Sequence, residues 1–345
     1  MSPAPAPALP NLPQVLCFGE ALVDRLTEPG GEDTAEDHLG GAPANVACAL
    51  ARLGTPVAFV GRLGNDPIAQ AFLSLFDERG VDTTGLQRDP ERPSRIVLVR
   101  RDGSGERSFG GFVGERGQGF ADEAVDGDEL AGAIEPLLTA ARWLLVGTIP
   151  LASPPAAAAL ARVVEMAAGR GVPLAVDVNW RPTFWGYGPR QGPPLQIRQR
   201  IRPLLEGAAL IKCAAEEADW LFEEVDPVAI HAALPQHPAV LITDGARPLR
   251  WCLGGASGTL EAFAVPVVDT TGAGDAFTAG LLHGLCRGGQ PVGVEGGAVA
   301  DPRDPVMGPA GLIRFAAACG ALVCQGAGAI EPQPTAAEVA AFLRR

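Results

Sequence analysis

The sequence predicts an α/β fold: a doubly wound, mostly parallel sheet flanked by helices, with a small β appendage. Two observations predict it. Six short apolar runs alternate with longer segments that have helical spacing, and alternating strands and helices build a parallel sheet. Two further stretches show strand-like alternation around turns rich in Gly, Asp and Glu, which is typical of hairpins.

The predicted buried strands are apolar throughout, and each ends in a polar residue or a glycine. They are QVLCFG, PVAFVG, RWLLVG, PLAVDVN, ALIKC and AVLIT. Several predicted helices close with a glycine placed as a C′ cap. These helical segments are APANVACALARLG, PIAQAFLSLFDERG, SPPAAAALARVVEMAAGRG and EEADWLFEEV.

The β appendage is expected in two stretches, about residues 21–38 and 94–112, which read ALVDRLTEPGGEDTAEDH and SRIVLVRRDGSGERSFGGF. The rest of the chain is expected to form one domain over residues 14–345. Residues 1–13 have the composition of a flexible Pro/Ala tail. The Gly- and Pro-rich residues 287–311 are interpreted as a surface loop or insertion.

Composition and charge exclude several classes of partner. The 345 residues, 47% of them hydrophobic, can bury a large core, and 40 acidic against 27 basic residues give a net charge of -13. That charge repels nucleic acid and anionic membranes, so neither is expected as a partner. Seven scattered cysteines without a C-x-x-C pair predict free buried thiols. The opening segment has no basic residue or apolar core of a signal peptide, which predicts a cytoplasmic location.

The stretch VVDTTGAGDAFTAGLL, from Val267 to Leu282, indicates an anion site. Gly272 and Gly274 let backbone N–H groups converge at the start of a helix, where the dipole favours phosphate. Asp275 follows directly. A carboxylate beside a phosphate suits the removal of a proton from an attacking hydroxyl, and the alternative is a first-turn capping residue. The P-loop and dinucleotide-binding patterns are both missing from the sequence.

Two long motifs resemble those of the PfkB or ribokinase-type carbohydrate kinases. DTTGAGDAFTAGLL fits the C-terminal signature, and residues 40–64, GGAPANVACALARLGTPVAFVGRLG, fit the N-terminal signature with Asn45, Gly54 and Gly64 at the required spacing. The resemblance covers nearly the whole chain and is greatest to bacterial and plant fructokinases. It implies a ribokinase-like fold whose β appendage is a lid, and it implies phosphoryl transfer from ATP to a sugar.

The resemblance implies roles for individual residues. Asp275 would be the catalytic base, and the amides of Gly272, Ala273 and Gly274 would form the anion hole. Asp24 and Asn45 also have structural alternatives, a solvated strand charge and a helix-start cap. The positions implied for sugar binding, or for the neighbourhood of the transferred phosphoryl group, are Asp24, Gly40, Gly41, Asn45, Phe109, Asp177, Asn179 and Arg181.

The segment KCAAEEADW aligns with the family's N-x-x-E motif. Ala214 replaces the Asn, but Glu217 keeps the acid, which in the family positions Mg²⁺ through its water shell. The alternative for Glu217 is a solvent-facing helix charge. Lys212, the single lysine of the chain, is expected to contact a nucleotide phosphate or to hold the loop that does. Coding bias towards arginine is the alternative explanation for its uniqueness.

Three further implied sites concern the nucleotide and a monovalent ion. Thr243 and Gly245 match the family's loop near the ATP phosphates, and the adenine would lie against GLIRFAAACGALVCQGAGAIEP. Asp269 and Thr271 occupy positions from which many relatives bind an activating K⁺.

The expected function is therefore ATP-dependent conversion of fructose to fructose 6-phosphate, with ATP and Mg²⁺ and with K⁺ as an implied activator. Two alternatives stay open. One is the same chemistry on another small substrate, such as 2-keto-3-deoxygluconate, ribose or a nucleoside. The other is a catalytically silent, sugar-responsive regulatory subunit, although a protein that only binds has no need of the base in the intact GAGD. A homodimer paired through the lid sheets is also expected.

Overall fold

Nine strands form the main sheet in the residues that the computed structural model describes, which are 12–28, 31–101, 107–189, 191–288 and 308–345. The order across this sheet is β13-β12-β11-β10-β9-β8-β1-β4-β5. The strands are β1 (Val15–Phe18), β4 (Val57–Gly64), β5 (Leu86–Asp89), β8 (Trp143–Val146), β9 (Leu174–Asp177), β10 (Leu210–Ala214), β11 (Ala239–Asp244), β12 (Arg247–Leu253) and β13 (Ala256–Leu260).

Strands β5, β4, β1, β8, β9, β10 and β11 are parallel, and β12 and β13 extend the sheet as an antiparallel edge. From β1 the chain first builds outwards through β4 and β5, and then returns to build the other side from β8. The order thus reverses between β1 and β8. In open α/β sheets such a reversal leaves a crevice at the carboxyl ends of the strands.

Helices cover both faces of the main sheet and alternate with its strands along the chain. They are α1 (Ala42–Leu53), α2 (Pro67–Arg79), α3 (Gly127–Ile134), α4 (Pro154–Gly169), α5 (Leu195–Glu206), α6 (Ala215–Phe222), α7 (Pro227–Ala233), α8 (Ala273–Arg287), α9 (Gly308–Val323) and α10 (Ala336–Leu343). Short 3₁₀ helices lie at Ala121–Ala124, Leu137–Thr139, Ile149–Ala152 and Pro182–Trp185.

Two apolar cores lie on opposite faces of this sheet. Val15 and Cys17 of β1 point to one core, with α1, α2, α8 and α9, whereas Leu16 and Phe18 point to the other, with α3 to α7. Alternation of side chains along a strand explains why each central strand must be apolar throughout.

A second, four-stranded sheet has the order β3-β2-β6-β7. Its strands are β2 (Leu22–Glu28), β3 (Gly31–Gly40), β6 (Ile96–Arg101) and β7 (Arg107–Val113). Both hairpins are antiparallel, and β2 pairs with β6 in parallel. The predicted fold class is confirmed. Residues 289–307 of the predicted insertion and 1–11 of the predicted tail lie outside the described residues.

The six strands and four helices named in the sequence are all present. The sequence interpretation missed β5, β12 and β13. Strands β5 and β13 have no continuous apolar run, and in β12 only the last three residues form a buried apolar run, after a mostly polar start. All seven cysteines are free, as predicted, and six of them are buried. Within the described ranges, no helix has the length and apolar character needed to cross a bilayer.

Candidate active site

A cleft of about 1130 Å³ opens at the carboxyl edge of the main sheet, beneath the second sheet. It lies at the reversal of strand order, since Glu20 follows β1 and Ile149 follows β8, and both line it. The predicted site residues that line this cleft are Asp24, Gly41, Asn45, Phe109, Asn179, Arg181, Lys212, Glu217, Asp269, Thr271, Gly272, Gly274 and Asp275.

The start of α8 lies in the wall of the cleft. Gly272 caps the helix with φ of 76°, and a Cβ there would approach the Cβ of Ala329 to 2.6 Å, so this position requires glycine. Gly274 lies next to the ammonium group of Lys212, since a Cβ at this position would lie 2.9 Å from Nζ. The Ala273 amide donates to the Thr270 carbonyl oxygen at 3.3 Å, which closes the turn before the helix.

Asp275 lies half-buried in the first turn of α8, and its Oδ2 accepts a hydrogen bond of 2.7 Å from Nδ2 of Asn45 on α1. Burial and the charge of Asp177 raise the pKa of Asp275 to about 6, while Asn45, Lys212 and Arg181 limit the rise. The carboxylate is therefore mostly ionised at neutral pH and still basic enough to accept a proton, as general-base catalysis requires.

A buried ion pair lies beneath this turn. Nζ of Lys212 lies 3.1 and 3.2 Å from the two carboxylate oxygens of Asp177, and the two residues are 8% and 4% exposed. Thr278 of α8 donates to Oδ2 of Asp177 at 2.8 Å. Burial lowers the pKa of Lys212, but the carboxylates of Asp177, Glu217 and Asp275 outweigh it, and the pKa is raised. The lysine is therefore a permanent positive charge under the anion site.

The sequence prediction placed Lys212 on nucleotide phosphate and Asp177 near the sugar. The structure gives both a different set of partners, because they bond to each other and, through Thr278, to α8. Lys212 still lines the cleft beside Gly274. Asp177 is not among the lining residues and lies behind the lysine.

Glu217 joins the ends of two neighbouring strands. One carboxylate oxygen accepts from the Trp180 amide at 2.6 Å, and the other accepts from the Ala214 amide at 2.7 Å. Burial raises the pKa of Glu217, and Lys212 opposes this rise. The residue is only 7% exposed, so it is not the solvent-facing helix charge that was the alternative.

The loop that precedes α8 is tied down by Asp269. Its Oδ1 accepts from the amide and hydroxyl of Thr271 at 3.0 and 2.7 Å, and its Oδ2 accepts from the Gly328 amide at 3.1 Å. These hydrogen bonds join the loop that precedes α8 to the loop that follows α9. The implied K⁺ site at Asp269 and Thr271 stays a prediction.

Three of the residues predicted for the sugar lie on the second sheet. Asp24 of β2 faces Gly40, where a Cβ would lie 3.1 Å from Oδ2 of the aspartate, and Phe109 lies on β7 of the same second sheet. Across from them, Asn179 has φ of 43°, a left-handed conformation that asparagine tolerates better than most residues. Arg181 follows and also faces the cleft.

Thr243 and Gly245 lie apart from the cleft lining. Thr243 is the penultimate residue of β11, in register with Ala214, and its hydroxyl donates to the Cys213 carbonyl oxygen at 3.4 Å. Gly245 has φ of 59° in the turn between β11 and β12. Their implied contact with ATP phosphates stays a prediction.

Sequence reasoning missed two buried residues at the site. Gln333 donates through Nε2 to the backbone oxygens of Asn45 and Ala329, and so joins α1 to the C-terminal loop. Glu20 lines the cleft at the end of β1. A strand-end glutamate in FGEALVD was a visible signal for Glu20, whereas no local pattern marks Gln333.

In the described part of the chain, no group of three or more His, Cys, Asp and Glu side chains could hold a metal ion directly. The carboxylates of Glu216 and Glu217 line the cleft at the end of β10, and both oxygens of Glu217 already accept backbone N–H groups. This donor set suits a metal that keeps its water shell and binds through ligand phosphates.

Comparison with known proteins identifies relatives over almost the full chain. A profile of the pfkB family carbohydrate kinases matches residues 12–336. A probable fructokinase-2 of Arabidopsis thaliana is 31% identical over 338 residues, 96% of this chain and 95% of that protein.

Two solved structures are also similar. A fructokinase of Xylella fastidiosa with bound ATP superposes with a TM-score of 0.79 at 30% identity, over 96% of this chain and 99% of that one. A fructokinase double mutant of Vibrio cholerae O395, in a form with bound fructose, ADP and potassium ion, superposes with a TM-score of 0.74 at 25% identity, over 96% and 99%.

Removal of the lysine charge tests the buried pair. Lys212→Met leaves the Asp177 carboxylate buried without its cation, so the free energy of unfolding should fall by about 3–5 kcal/mol, measured by urea denaturation. The double variant Lys212→Met with Asp177→Asn removes both charges and should recover much of that loss. A single variant as stable as the wild type would show that the pair contributes nothing.

Proposed function

Because the chain belongs to the pfkB family and is a carbohydrate kinase, we propose that it transfers the γ-phosphoryl group of ATP to fructose, giving fructose 6-phosphate and ADP. One observation carries the proposal: the half-buried carboxylate of Asp275 lies in the first turn of α8 and lines the cleft together with residues predicted for the sugar from the second sheet. A base and an anion site in one turn suit attack of a hydroxyl on a phosphoryl group.

Asp275 is the proposed general base. It would take the proton of the attacking sugar hydroxyl as the new oxygen–phosphorus bond forms, and ADP would leave with the electrons of the bond that breaks. The Asn45 amide donates to Oδ2 and fixes the carboxylate, which leaves Oδ1 to face the substrate. A pKa of about 6 keeps this base ionised at neutral pH.

The first turn of α8 is the proposed site for the transferred phosphoryl group. The positive end of its helix dipole favours anions, and the Lys212 ammonium adds a full positive charge beside Gly274. The Ala273 amide already donates to Thr270, so the proposed anion hole relies on the amides of Gly272 and Gly274. Arg181 supplies a second cation that lowers the pKa of Asp275. Together these groups would offset the repulsion between ATP and the aspartate.

The second sheet is the proposed lid. It brings Asp24 and Phe109 to the cleft from β2 and β7. A carboxylate can accept hydrogen bonds from two sugar hydroxyls. Closure over the sugar would exclude water, which otherwise competes for the γ-phosphate.

The proposed reaction also uses two metal ions, Mg²⁺ and K⁺. Mg²⁺ would enter with the ATP phosphates and neutralise their charge, with Glu217 reaching it through water. The Asp269 loop is the proposed K⁺ site, and the potassium-bound Vibrio cholerae fructokinase supports it. Neither ion is required to position Asp275, which the protein holds by itself.

Fructose is the proposed sugar because the relatives at about 30% identity are named as fructokinases. The Vibrio cholerae structure contains fructose and ADP, and the Xylella fastidiosa structure contains ATP. A homodimer through the second sheet is also proposed, since β3 and β7 are edge strands in the described part of that sheet and paired edges avoid exposed hydrogen-bonding groups.

The choice of sugar is tested with a substrate panel. Fructose, ribose, 2-keto-3-deoxygluconate and adenosine are compared with MgATP by release of ADP, and fructose should give the highest kcat/KM. A higher value for one of the other three would reject fructose and keep the kinase. No turnover of any of them would favour a regulatory subunit.

The base is tested with Asp275→Asn. The amide keeps the shape of the side chain but cannot take the proton, so kcat should fall about 10²- to 10⁴-fold, the usual value of general-base help. Binding of ATP and the melting temperature should stay close to wild type. Asp77→Asn on the exposed face of α2 is the matched control and should keep full activity. Near-normal turnover by a folded Asp275→Asn protein would leave Asp275 as a capping residue only.

A further inference from the structure

Glu20 is a buried acid for which the proposed mechanism has no use. It follows β1 at the switch in strand order, is 3% exposed, and lines the active-site cleft. It also lines a second cavity of about 260 Å³ that lies behind the cleft. The side chain therefore forms part of the wall between the two spaces.

One oxygen of Glu20 holds the turn that carries the predicted sugar-binding glycines. Oε1 accepts a hydrogen bond of 3.1 Å from the amide of Ala42, the first residue of α1. The same turn packs on the backbone of Glu20, since a Cβ on Gly41 would lie 2.6 Å from the Glu20 carbonyl oxygen. Gly41 has φ of 102°, which no other residue adopts easily.

The other oxygen, Oε2, is buried and has no hydrogen-bond partner among the residues that the structure describes. An ionised oxygen in such a place loses its hydration without compensation, whereas a protonated carboxyl loses much less. Arg95 lines the second cavity but does not neutralise Glu20, because its guanidinium already binds Asp122 at 2.8 and 3.0 Å and Glu123 at 2.6 Å.

We propose that Glu20 is a positioning residue of the sugar site, which holds the Gly41–Ala42 turn against the end of β1 as an uncharged carboxylic acid. The inference rests on the proposed kinase function in one respect, the assignment of this turn to a sugar site. Its structural part, an uncharged buried acid that bonds to the Ala42 amide, is independent of the substrate.

The surrounding charges favour the uncharged form. Burial raises the pKa of Glu20 to about 8, and the charges of Asp122 and Asp275 add to the rise, while its own amide and that of Ala42 oppose it. A second negative charge at Glu20 would also oppose ATP binding. The charged groups that line the two spaces around Glu20 are Asp24, Asp275, Arg181, Lys212, Glu216, Glu217 and Asp269 on the cleft side, and Arg95, Asp122 and Glu123 on the cavity side.

The sign of the pH effect follows from proton linkage. The folded state holds the Glu20 proton up to about pH 8, whereas the unfolded chain releases it near the ordinary value of 4.5. The folded protein therefore loses stability through this group as the pH rises between those values. Glu20→Gln cannot ionise, so its melting temperature relative to wild type should rise progressively from pH 5 to pH 8.

The experiment compares Glu20→Gln, Glu20→Ala and the exposed α4 control Glu165→Gln. Glu20→Ala leaves the Ala42 amide without its acceptor and should raise the KM for fructose about tenfold, a size typical of an unmade hydrogen bond, with the KM for ATP unchanged. Glu20→Gln should keep wild-type kinetics at pH 7. In the wild type, kcat/KM should fall above about pH 8 as Glu20 ionises, and Glu20→Gln should lack this fall.

Three results would overturn the proposal: a fructose KM within twofold of wild type in Glu20→Ala, an alkaline limb that persists in Glu20→Gln, or a melting-temperature difference that is the same at pH 5 and pH 8. The melting comparison needs no substrate. A wild-type protein that fails to phosphorylate fructose would therefore refute the proposed function, while the melting comparison still decides the state of Glu20.

Discussion

The Lys212–Asp177 ion pair lies under the first turn of α8, and the arrangement of the candidate active site depends on it. Asp177 ends β9 and Lys212 lies on the adjacent β10, so the sheet register itself brings the two side chains together. Thr278 binds the same carboxylate and fixes α8 to the sheet. A buried charge that lost its partner would be costly, so these three elements are held in one relative position.

That position has electrostatic consequences for Asp275. Lys212 puts positive charge beside Gly274, where the helix dipole already favours an anion. Burial is the largest cause that raises the pKa of Asp275, and Asp177, on the far side of the lysine, adds to the rise, whereas the Asn45 amide and Lys212 lower it. The balance leaves Asp275 ionised at neutral pH but more basic than an ordinary aspartate. In the proposed mechanism, one network of buried charges would thus serve both a phosphate and a base, two groups that would otherwise repel each other.

Much of this could be predicted from the sequence, for identifiable reasons. Apolar strand runs and glycine-capped helices gave the main sheet, and the GAGD turn indicated Asp275, because local patterns encode local geometry. Partners distant along the chain were not predictable in the same way. The predicted phosphate contact of Lys212 stays a prediction, but no sequence pattern indicated its ion pair with Asp177. Gln333 likewise reaches the Asn45 backbone across 288 positions of sequence. Long-range contacts of this kind depend on the packing of whole helices, which no single-sequence pattern records.

The most direct test is the pH profile of kcat/KM for fructose, with saturating MgATP, in the wild type and in Asp177→Asn. The variant keeps acceptors for Lys212 and Thr278 but removes one negative charge. In the wild type, activity should fall as the pH drops through about 6, because protonated Asp275 cannot accept the hydroxyl proton. In Asp177→Asn this acid limb should move to lower pH, since the charge that raises the pKa of Asp275 is gone. An acid limb that stays in place, or moves to higher pH, would contradict the coupling of the buried pair to the base.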